Sequence, residues 1–154
     1  MLSKLIKGFT LIELLIVAGI ILILLTVGII NGKKYYLKFK FQQYEQSLIS
    51  FSKLAKLLAK EKSHNIAVCV SGREIRIVDI GTSRRFTCSG TVLNSIRIEE
   101  PQISISGSGF AFDPRGISIR GGNICLYFSL ENRYVKAVAS RFGAVRVERG
   151  NGTC

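Results

Sequence analysis

The sequence predicts an α+β fold, in which one long amino-terminal helix packs on a mostly antiparallel β-domain. Residues 9–30 are apolar except for two threonines and Glu13, and residues 33–71 contain neither Gly nor Pro. Much of the remaining chain alternates apolar with polar residues, which is the period of half-buried strands. A chain of 154 residues can form one such domain with an accessory element.

The apolar run is long enough to be a membrane anchor. Its 22 residues, 9–30, would span roughly 33 Å as a helix. Residues 1–8 precede it as a short basic leader that contains Lys4 and Lys7. A secretory signal peptide would have a small-residue cleavage site after the run, whereas Asn-Gly-Lys-Lys follows here. We therefore expect residues 9–30 to stay attached as a transmembrane helix.

Residues 31–62 are expected to continue this helix as an amphipathic half. Seven apolar residues recur there at alternating intervals of four and three. These residues are Leu37, Phe41, Tyr44, Leu48, Phe51, Ala55 and Leu58. The stripe could form a coiled-coil seam or pack on the chain's own domain, and its length of about three heptads favours the domain. Gly28, Asn31 and Gly32 form the weakest point between the two helical halves.

Residues 63–154 are predicted to form the β-rich domain. Ser-His-Asn at 63–65 should end the helix, and about eight to ten short strands should follow in residues 66–149. The clearest alternation is in four segments, 74–77, 95–98, 102–105 and 116–119. Gly-Gly at 121–122 predicts a turn, and Glu-Glu-Pro at 99–101 is interpreted as an exposed turn.

The chain is strongly basic, with 22 Lys and Arg, 10 Asp and Glu, and a formal net charge of +12. Residues 31–62 contain eight lysines, which is typical of a solvated helix face. Residues 63–154 contain eleven arginines, whose planar guanidinium groups pair well with phosphate and carboxylate. The charge therefore permits acidic partners, including nucleic acid and lipid head groups, without identifying one.

The four cysteines, Cys69, Cys88, Cys125 and Cys154, lie far apart in the sequence. With one histidine, His64, and no Cys-x-x-Cys pair, the pattern argues against a zinc site and a thioredoxin-type site. Two disulfides in an oxidising compartment are favoured over four buried thiols in a cytoplasmic domain. An enzyme is not expected, because no nucleophile–base–orienter set is present, and we predict neither a metal nor a cofactor.

The amino end carries a recognisable signature. Residues 8–17 read Gly-Phe-Thr-Leu-Ile-Glu-Leu-Leu-Ile-Val and closely resemble the type IV prepilin processing signature. The resemblance implies that a prepilin peptidase cuts between Gly8 and Phe9 and that Phe9 becomes N-methylated. A carboxylate at the bilayer centre costs about 2.5–3.5 kcal/mol, so Glu13 needs a partner. The Phe9 ammonium of an adjacent subunit would neutralise it during assembly; the alternative is a generic anchor with an accidental acid.

Segments of the carboxy-terminal half resemble the GspH/FimT pseudopilin domain. They are residues 110–116, 122–126, 135–140 and 143–147. Phe110 and Phe112 are expected in the core, on one face of a strand. The resemblance implies a type IV pilin-like fold and a minor pilin of a type IV pilus or the H pseudopilin of type II secretion. Its implied partners are other pilin or pseudopilin subunits, the prepilin peptidase, the membrane and an inner-membrane assembly platform.

DNA is an alternative partner, because some FimT-like members bind it through a Gly-Arg-x-Arg stretch. The matching residues 143–146 read Gly-Ala-Val-Arg, so the first arginine is absent. Residues 133–154 nevertheless contain five cations and one acid. The cations are Arg133, Lys136, Arg141, Arg146 and Arg149. This basic segment is either a DNA-binding site used in natural transformation or a solvated tail.

Disulfide pairing and membrane orientation are further predictions. A Cys69–Cys88 disulfide would cross-link an early hairpin, and a Cys125–Cys154 disulfide would link the carboxy-terminal segment to an inner strand. We expect a single-pass inner-membrane protein of a pilus or pseudopilus filament, with its domain outside the cytoplasm. Lysines are more numerous after the apolar run than before it, and a positive-inside count alone would favour the opposite orientation. The cysteines and the leader outweigh that count.

Overall fold

The computed structural model describes residues 10–154, and for residues 27–31 it describes the backbone alone. Helix α1 spans Leu11–Lys62. The strands that follow are β1 Ile66–Ser71, β2 Glu74–Asp79, β3 Thr91–Arg97, β4 Ile103–Gly107, β5 Phe110–Phe112, β6 Ser118–Arg120, β7 Gly122–Phe128, β8 Arg133–Ala139 and β9 Val145–Asn151. The α+β fold class predicted from the sequence is confirmed.

Helix α1 continues through residues 28–32 and ends where the sequence predicted. Ser63 follows it with a φ of 55°, a left-handed conformation that commonly terminates helices. The described residues form two compact units, of which the first ends at Lys38 and the second is Phe39–Cys154. Within the described part of the chain, no helix is both long enough and apolar enough to cross a membrane.

All of the paired strands are antiparallel, and they form two sheets. The first sheet has the order β3-β2-β1-β5-β6, and the second has the order β4-β7-β8-β9. The chain crosses between the sheets three times, after β3, after β4 and after β6. At the second crossing Gly107 and Gly109 adopt φ values of 142° and 68°, and a Cβ atom on Gly107 would lie 2.3 Å from the carbonyl oxygen of Asn123. Glycine is therefore required at this crossing.

The main core contains aromatic side chains from α1 and from both sheets. Phe41 of α1 is fully buried and stacks on Phe128 of β7, with ring centroids 5.2 Å apart. Phe110 and Phe112 of β5 are also fully buried, and their centroids are 5.6 Å apart. The prediction that these two residues belong to the core on one strand is confirmed. Burial of such large rings stabilises the β-domain.

Five of the seven residues predicted for the stripe of α1 are buried, namely Leu37, Phe41, Leu48, Phe51 and Ala55. The buried face also includes residues that the prediction left out. Its central positions are Phe41, Glu45, Leu48, Ser52, Ala55 and Ala59, all at most 8% exposed. Tyr44 and Leu58, which the apolar periodicity placed in the stripe, are only half-buried. Polar Glu45 and Ser52 take central positions because each has a hydrogen-bond partner, Arg149 for Glu45 and the carbonyl oxygen of Leu48 for Ser52.

Tyr44 at the margin of the stripe binds a residue that the sequence placed in an exposed turn. Its hydroxyl donates a hydrogen bond to Glu100 Oε2 at 2.5 Å, and Glu100 is only 9% exposed. Burial and this hydrogen bond raise the pKa of Tyr44 to about 12. The interpretation of residues 99–101 as a fully exposed turn is therefore wrong for Glu100, which is buried because it accepts this hydrogen bond.

A second, smaller core lies on the opposite face of the first sheet. Ala67 and Cys69 of β1, Val78 of β2 and Ala111 of β5 are buried there together with Ile80. Strand β1 is thus buried on both faces, in agreement with its uninterrupted apolar run. Phe86, in the β2–β3 loop, packs on this cluster, and Cys88 in the same loop is bonded to β1.

Candidate functional site

The amino end of α1 is capped by Thr10. The Glu13 N–H donates to the Thr10 hydroxyl oxygen at 3.4 Å and to the Thr10 carbonyl oxygen at 3.1 Å. Thr10 is therefore the N-cap and Glu13 is the third helical residue, the spacing of a capping box. The exposed Glu13 carboxylate lies in the first turn, where the helix dipole favours an acid. Gly8 and Phe9, the predicted cleavage site, lie outside the described residues.

Among the described residues, the apolar side chains at the start of α1 are largely exposed. Leu11 is 78% exposed, Leu15 60% and Leu24 66%, and the large apolar residues between them are similarly exposed. The hydroxyl of Thr26 donates to the carbonyl oxygen of Ile23 at 2.8 Å, so this polar group is satisfied inside the helix. Monomeric soluble proteins rarely expose a continuous apolar surface of this kind.

The candidate DNA-binding cations are divided between the two faces of the second sheet. Val135 of β8 pairs with Arg149 of β9, and Lys136 pairs with Glu148. Paired residues project to the same side of a sheet, and successive residues alternate between sides. Since Val135 is buried, Arg149 is on the inner face and Lys136 on the outer face. The five cations are thus distributed with Arg133 and Arg149 on the Val135 side of the sheet, Lys136 and Arg146 on the other side, and Arg141 in the β8–β9 turn. The Arg149 side chain is nevertheless 58% exposed, since β9 is an edge strand.

Arg149 joins the last strand to the helix. Its Nε and Nη2 atoms lie 2.7 Å and 2.5 Å from Glu45 Oε1. The Glu45 side chain is only 11% exposed, so its carboxylate depends on Arg149 for compensation. This contact gives Arg149 a structural role within the domain.

Two more of the five cations contact acids of the chain. Arg146 Nε is 2.9 Å from Glu148 Oε1 on the outer face. Arg133 Nε is 3.2 Å from Glu131 Oε2, close enough for an ion pair although the geometry is not that of a hydrogen bond. The Arg133 guanidinium also lies 4.9 Å from the centre of the Phe41 ring. The charge that these residues could offer to phosphate is therefore smaller than their number suggests.

The single histidine also has a structural partner. His64 Nδ1 lies 3.0 Å from Asp79 Oδ2, just beyond the end of α1. Burial opposes ionisation of Asp79, but hydrogen bonds from His64 and from the Gly81 N–H outweigh it and hold the pKa of Asp79 below its usual value. Within residues 10–154, no group of three or more His, Cys, Asp or Glu side chains could hold a metal ion.

The amino-terminal residues match a known family. Residues 3–29 match the prokaryotic N-terminal methylation motif, a range that includes the predicted cleavage site and Glu13. The amino end of the chain is thus prepilin-like. No curated protein sequence matches it.

Two solved structures share the fold of this prepilin-like chain. The minor pseudopilin EpsH of the type 2 secretion system of Vibrio cholerae has a TM-score of 0.54 at 9% identity, covering 70% of this chain and 94% of that one. The type IV minor pilin FimU of Pseudomonas aeruginosa has a TM-score of 0.55 at 12% identity, covering 72% and 90%. At these identities the likeness establishes the fold, in which a long amino-terminal helix accompanies antiparallel sheets.

The β-domain of the prepilin-like chain contains two disulfides. The bonds are Cys69–Cys88 and Cys125–Cys154, with Cα atoms 5.9 Å and 6.1 Å apart, so the structure brings together the partners that the sequence suggested. Cys125 lies in β7 and strand β9 lies on the other side of β8, so residues 152–154 must cross β8 to reach it. In the chain-entropy account each bond contributes roughly 3–4 kcal/mol. The carboxy-terminal segment is thus bound to the sheet and is not a free tail.

We expect Arg149→Gln to lower the free energy of unfolding by about 1–3 kcal/mol, because buried Glu45 would lose its counter-ion. The matched control is Arg146→Gln, which removes an exposed pair with Glu148 and should change stability by less than about 0.5 kcal/mol. Urea unfolding of both variants in detergent, followed by circular dichroism, measures the difference. Equal effects of the two substitutions would contradict the structural role of Arg149.

The sequence did not point to two residues whose positions in the structure are unusual for their type. Glu45 was not singled out, although a carboxylate one residue from Tyr44 of the apolar stripe was a signal. Phe142 was not singled out, although an aromatic residue between Arg141 and Gly143 in a short turn is unusual. Phe142 is 89% exposed, the highest value among the exposed large apolar residues in the described part of the chain.

Proposed function

We propose that this chain is a minor pilin or pseudopilin subunit that assembles into, or primes, a type IV pilus or a type II secretion pseudopilus after prepilin peptidase processing. The observation that carries the proposal is the N-terminal methylation motif at residues 3–29, on a chain with the fold of a minor pilin and a minor pseudopilin. The role is structural: the subunit acts through packing against other subunits and not through catalysis.

Each part of the chain has a role in this proposal. Residues 1–8 are the leader that is removed, and residues 9–30 are the membrane anchor that later forms the filament core. Residues 31–62 are the half of the helix that carries the β-domain, residues 63–154. The domain lies outside the cytoplasm on a single-pass inner-membrane protein, which fits its two disulfides. Its partners are other pilin or pseudopilin subunits, the prepilin peptidase and the assembly platform.

Glu13 directs assembly in this proposal by charge neutralisation. Its carboxylate lies exposed at the start of α1, beside apolar residues that are also largely exposed. Cleavage after Gly8 creates an ammonium on Phe9, which is then N-methylated and keeps its positive charge. An ion pair between Phe9 of one subunit and Glu13 of its neighbour removes two uncompensated charges from an apolar core. The pairing also sets the axial offset between neighbouring subunits.

The decisive experiment is mass spectrometry of the protein purified from its native host. We expect a mature chain that begins at N-methylated Phe9, together with Gly8→Leu protein that still begins at Met1. The reason is that the peptidase must approach the backbone at residue 8, and a leucine side chain blocks that approach. A wild-type chain with Met1 intact, under conditions in which the filament operates, would overturn the proposal.

The arrangement of the basic residues does not favour DNA as the partner of this chain. The five candidate cations lie on two faces of a sheet and in a turn, and three of them contact acids of the same chain. A DNA backbone requires cations that follow one continuous surface. We therefore assign Arg149 and Arg133 to the stability of the domain.

A further inference from the structure

The β8–β9 turn presents a phenylalanine to solvent. Phe142 is 89% exposed, and Ile117 of the neighbouring β5–β6 loop is 42% exposed. The two loops touch, because a Cβ atom on Gly143 would lie 2.0 Å from the Gly116 carbonyl oxygen and 3.2 Å from the Ile117 Cα atom. We refer to Phe142 and Ile117, with the two loops that carry them, as the Phe142 knob.

Three hydrogen bonds hold the turn that carries the knob. Ser140 N–H donates to the Ala144 carbonyl oxygen at 2.8 Å, and Gly143 N–H donates to the Ser140 carbonyl oxygen at 3.0 Å. Lys56 Nζ of α1 donates to the Gly143 carbonyl oxygen at 3.0 Å. Phe142 is therefore presented by an ordered turn, and a partner that binds it would lose little conformational entropy in doing so.

The β5–β6 loop is ordered in the same way by Asp113. Its Oδ1 atom accepts hydrogen bonds from the backbone N–H groups of Arg115 at 3.0 Å and Ile117 at 2.9 Å. Its Oδ2 atom accepts from Arg115 Nη2 at 2.8 Å. Burial opposes ionisation of Asp113, but these hydrogen bonds outweigh it and hold the pKa of Asp113 below its usual value. The Asp113 carboxylate therefore stabilises the β5–β6 loop.

Four cations lie on or beside the two loops of the knob. Gly116 lies directly against two lysine side chains of α1, since a Cβ atom there would be 2.7 Å from Lys56 Cε and 3.0 Å from Lys60 Cε. Arg141 adjoins Phe142 in the turn and is exposed, and Arg115 adjoins Gly116. The acid next to them is Asp113, which Arg115 already contacts. The knob is therefore apolar at its centre and positive at its rim, the pattern of a protein-binding surface with an aromatic anchor.

We infer that the Phe142 knob is a docking surface for an acidic neighbouring subunit of the filament, whose apolar pocket takes Phe142. This inference rests on the proposed function of the chain as a filament subunit. Charge complementarity identifies the kind of partner, because a positive rim attracts a negative one and repels a like charge. A second copy of this chain would itself be basic, with a formal side-chain charge of 12 − 2 = +10 once Lys4 and Lys7 leave with the leader, so the occupant is a different subunit.

The test places a photo-crosslinking amino acid, p-benzoylphenylalanine, at position 142 of the full chain in its native host. After irradiation, we expect one main product, a cross-link to a filament subunit with a net negative domain. Arg141→Glu in the same chain should lower the yield at least about threefold, because it reverses one charge of the rim. Phe142→Ala should weaken co-purification of that subunit at least about tenfold, because it removes the anchor.

The matched control carries the same amino acid at position 130. Leu130 is 49% exposed in the β7–β8 turn, at the opposite end of β8, and should give no cross-link to that subunit. Cross-links from position 142 to a second copy of this chain, to nucleic acid or to no subunit would each overturn the inference, as would a yield that Arg141→Glu leaves unchanged. The mature amino terminus is determined in the same cells. Loss of processing there contradicts the proposed function, whereas normal processing without the cross-link contradicts only the docking surface.

Discussion

Replacing Glu13 by glutamine is expected to leave leader cleavage intact and to reduce incorporation into filaments by at least about tenfold. Glutamine keeps the size and hydrogen-bonding capacity of glutamate but loses its charge. The Phe9 ammonium of the adjacent subunit would then have no counter-ion in an apolar core, at a cost of several kcal/mol. A tenfold loss requires only about 1.4 kcal/mol. The measurement is the ratio of subunit in sheared filaments to subunit in membranes, determined by immunoblot.

Thr26→Val is the matched control for this experiment. Thr26 is also a polar residue of the apolar segment, but its hydroxyl donates to the Ile23 carbonyl oxygen of its own helix at 2.8 Å. It needs no partner from a neighbouring subunit, so its replacement should leave incorporation at the parental level. If Glu13→Gln were incorporated as well as Thr26→Val, neutralisation of Glu13 could not be what directs assembly.

The order and type of the elements could be predicted from the sequence because they depend on local patterns. A stretch without Gly or Pro predicted helix α1 up to Lys62. The alternation of apolar and polar residues predicted strands such as β2 and β6. The allocation of strands to two sheets could not be predicted in this way. It depends on the crossings, where glycines with positive φ such as Gly107 allow the chain to leave one sheet for the other.

The margins of the buried face of α1 were predicted less well than its centre, for a physical reason. Apolar periodicity identifies the face with the most apolar residues, which would include Tyr44 and Leu58. The buried face also includes Glu45, which contacts Arg149, a residue 104 positions away in the chain. A local pattern contains no information about a contact at that distance. The hydroxyl of Tyr44 then remains near the surface, where it binds Glu100.

The basic residues illustrate how a sequence count can mislead. Arg133, Lys136, Arg146 and Arg149 are close in the sequence, and this proximity suggested one cationic surface. Strand alternation already separates Arg133 from Lys136, because residues three apart on a strand point to opposite faces. The same rule applied to β9 separates Arg146 from Arg149. The two faces were therefore predictable once strands β8 and β9 were assigned, but the ion pairs on them were not.

Phe41→Ala is expected to lower the free energy of unfolding of the β-domain by about 3–5 kcal/mol. The Phe41 side chain is fully buried, stacks on Phe128 at 5.2 Å and lies 4.9 Å from the Arg133 guanidinium. Its removal leaves a cavity between the helix and the second sheet and also deprives Arg133 of its aromatic contact. Urea unfolding of the full chain in detergent, followed by circular dichroism, measures the loss.

Phe39→Ala provides the matched control, since Phe39 lies two residues earlier on α1 and is 57% exposed. The same truncation should cost less than about 0.5 kcal/mol there, because the ring is already largely in water. Natural domains are stable by only about 5–15 kcal/mol, so a loss of 3–5 kcal/mol would leave much of the Phe41→Ala protein open to proteolysis before it reached a filament. Indistinguishable unfolding curves for the two variants would mean that α1 does not pack on the second sheet through Phe41. The proposed filament role of the β-domain depends on that contact, because a domain detached from its helix could not be held at a fixed place in an assembly.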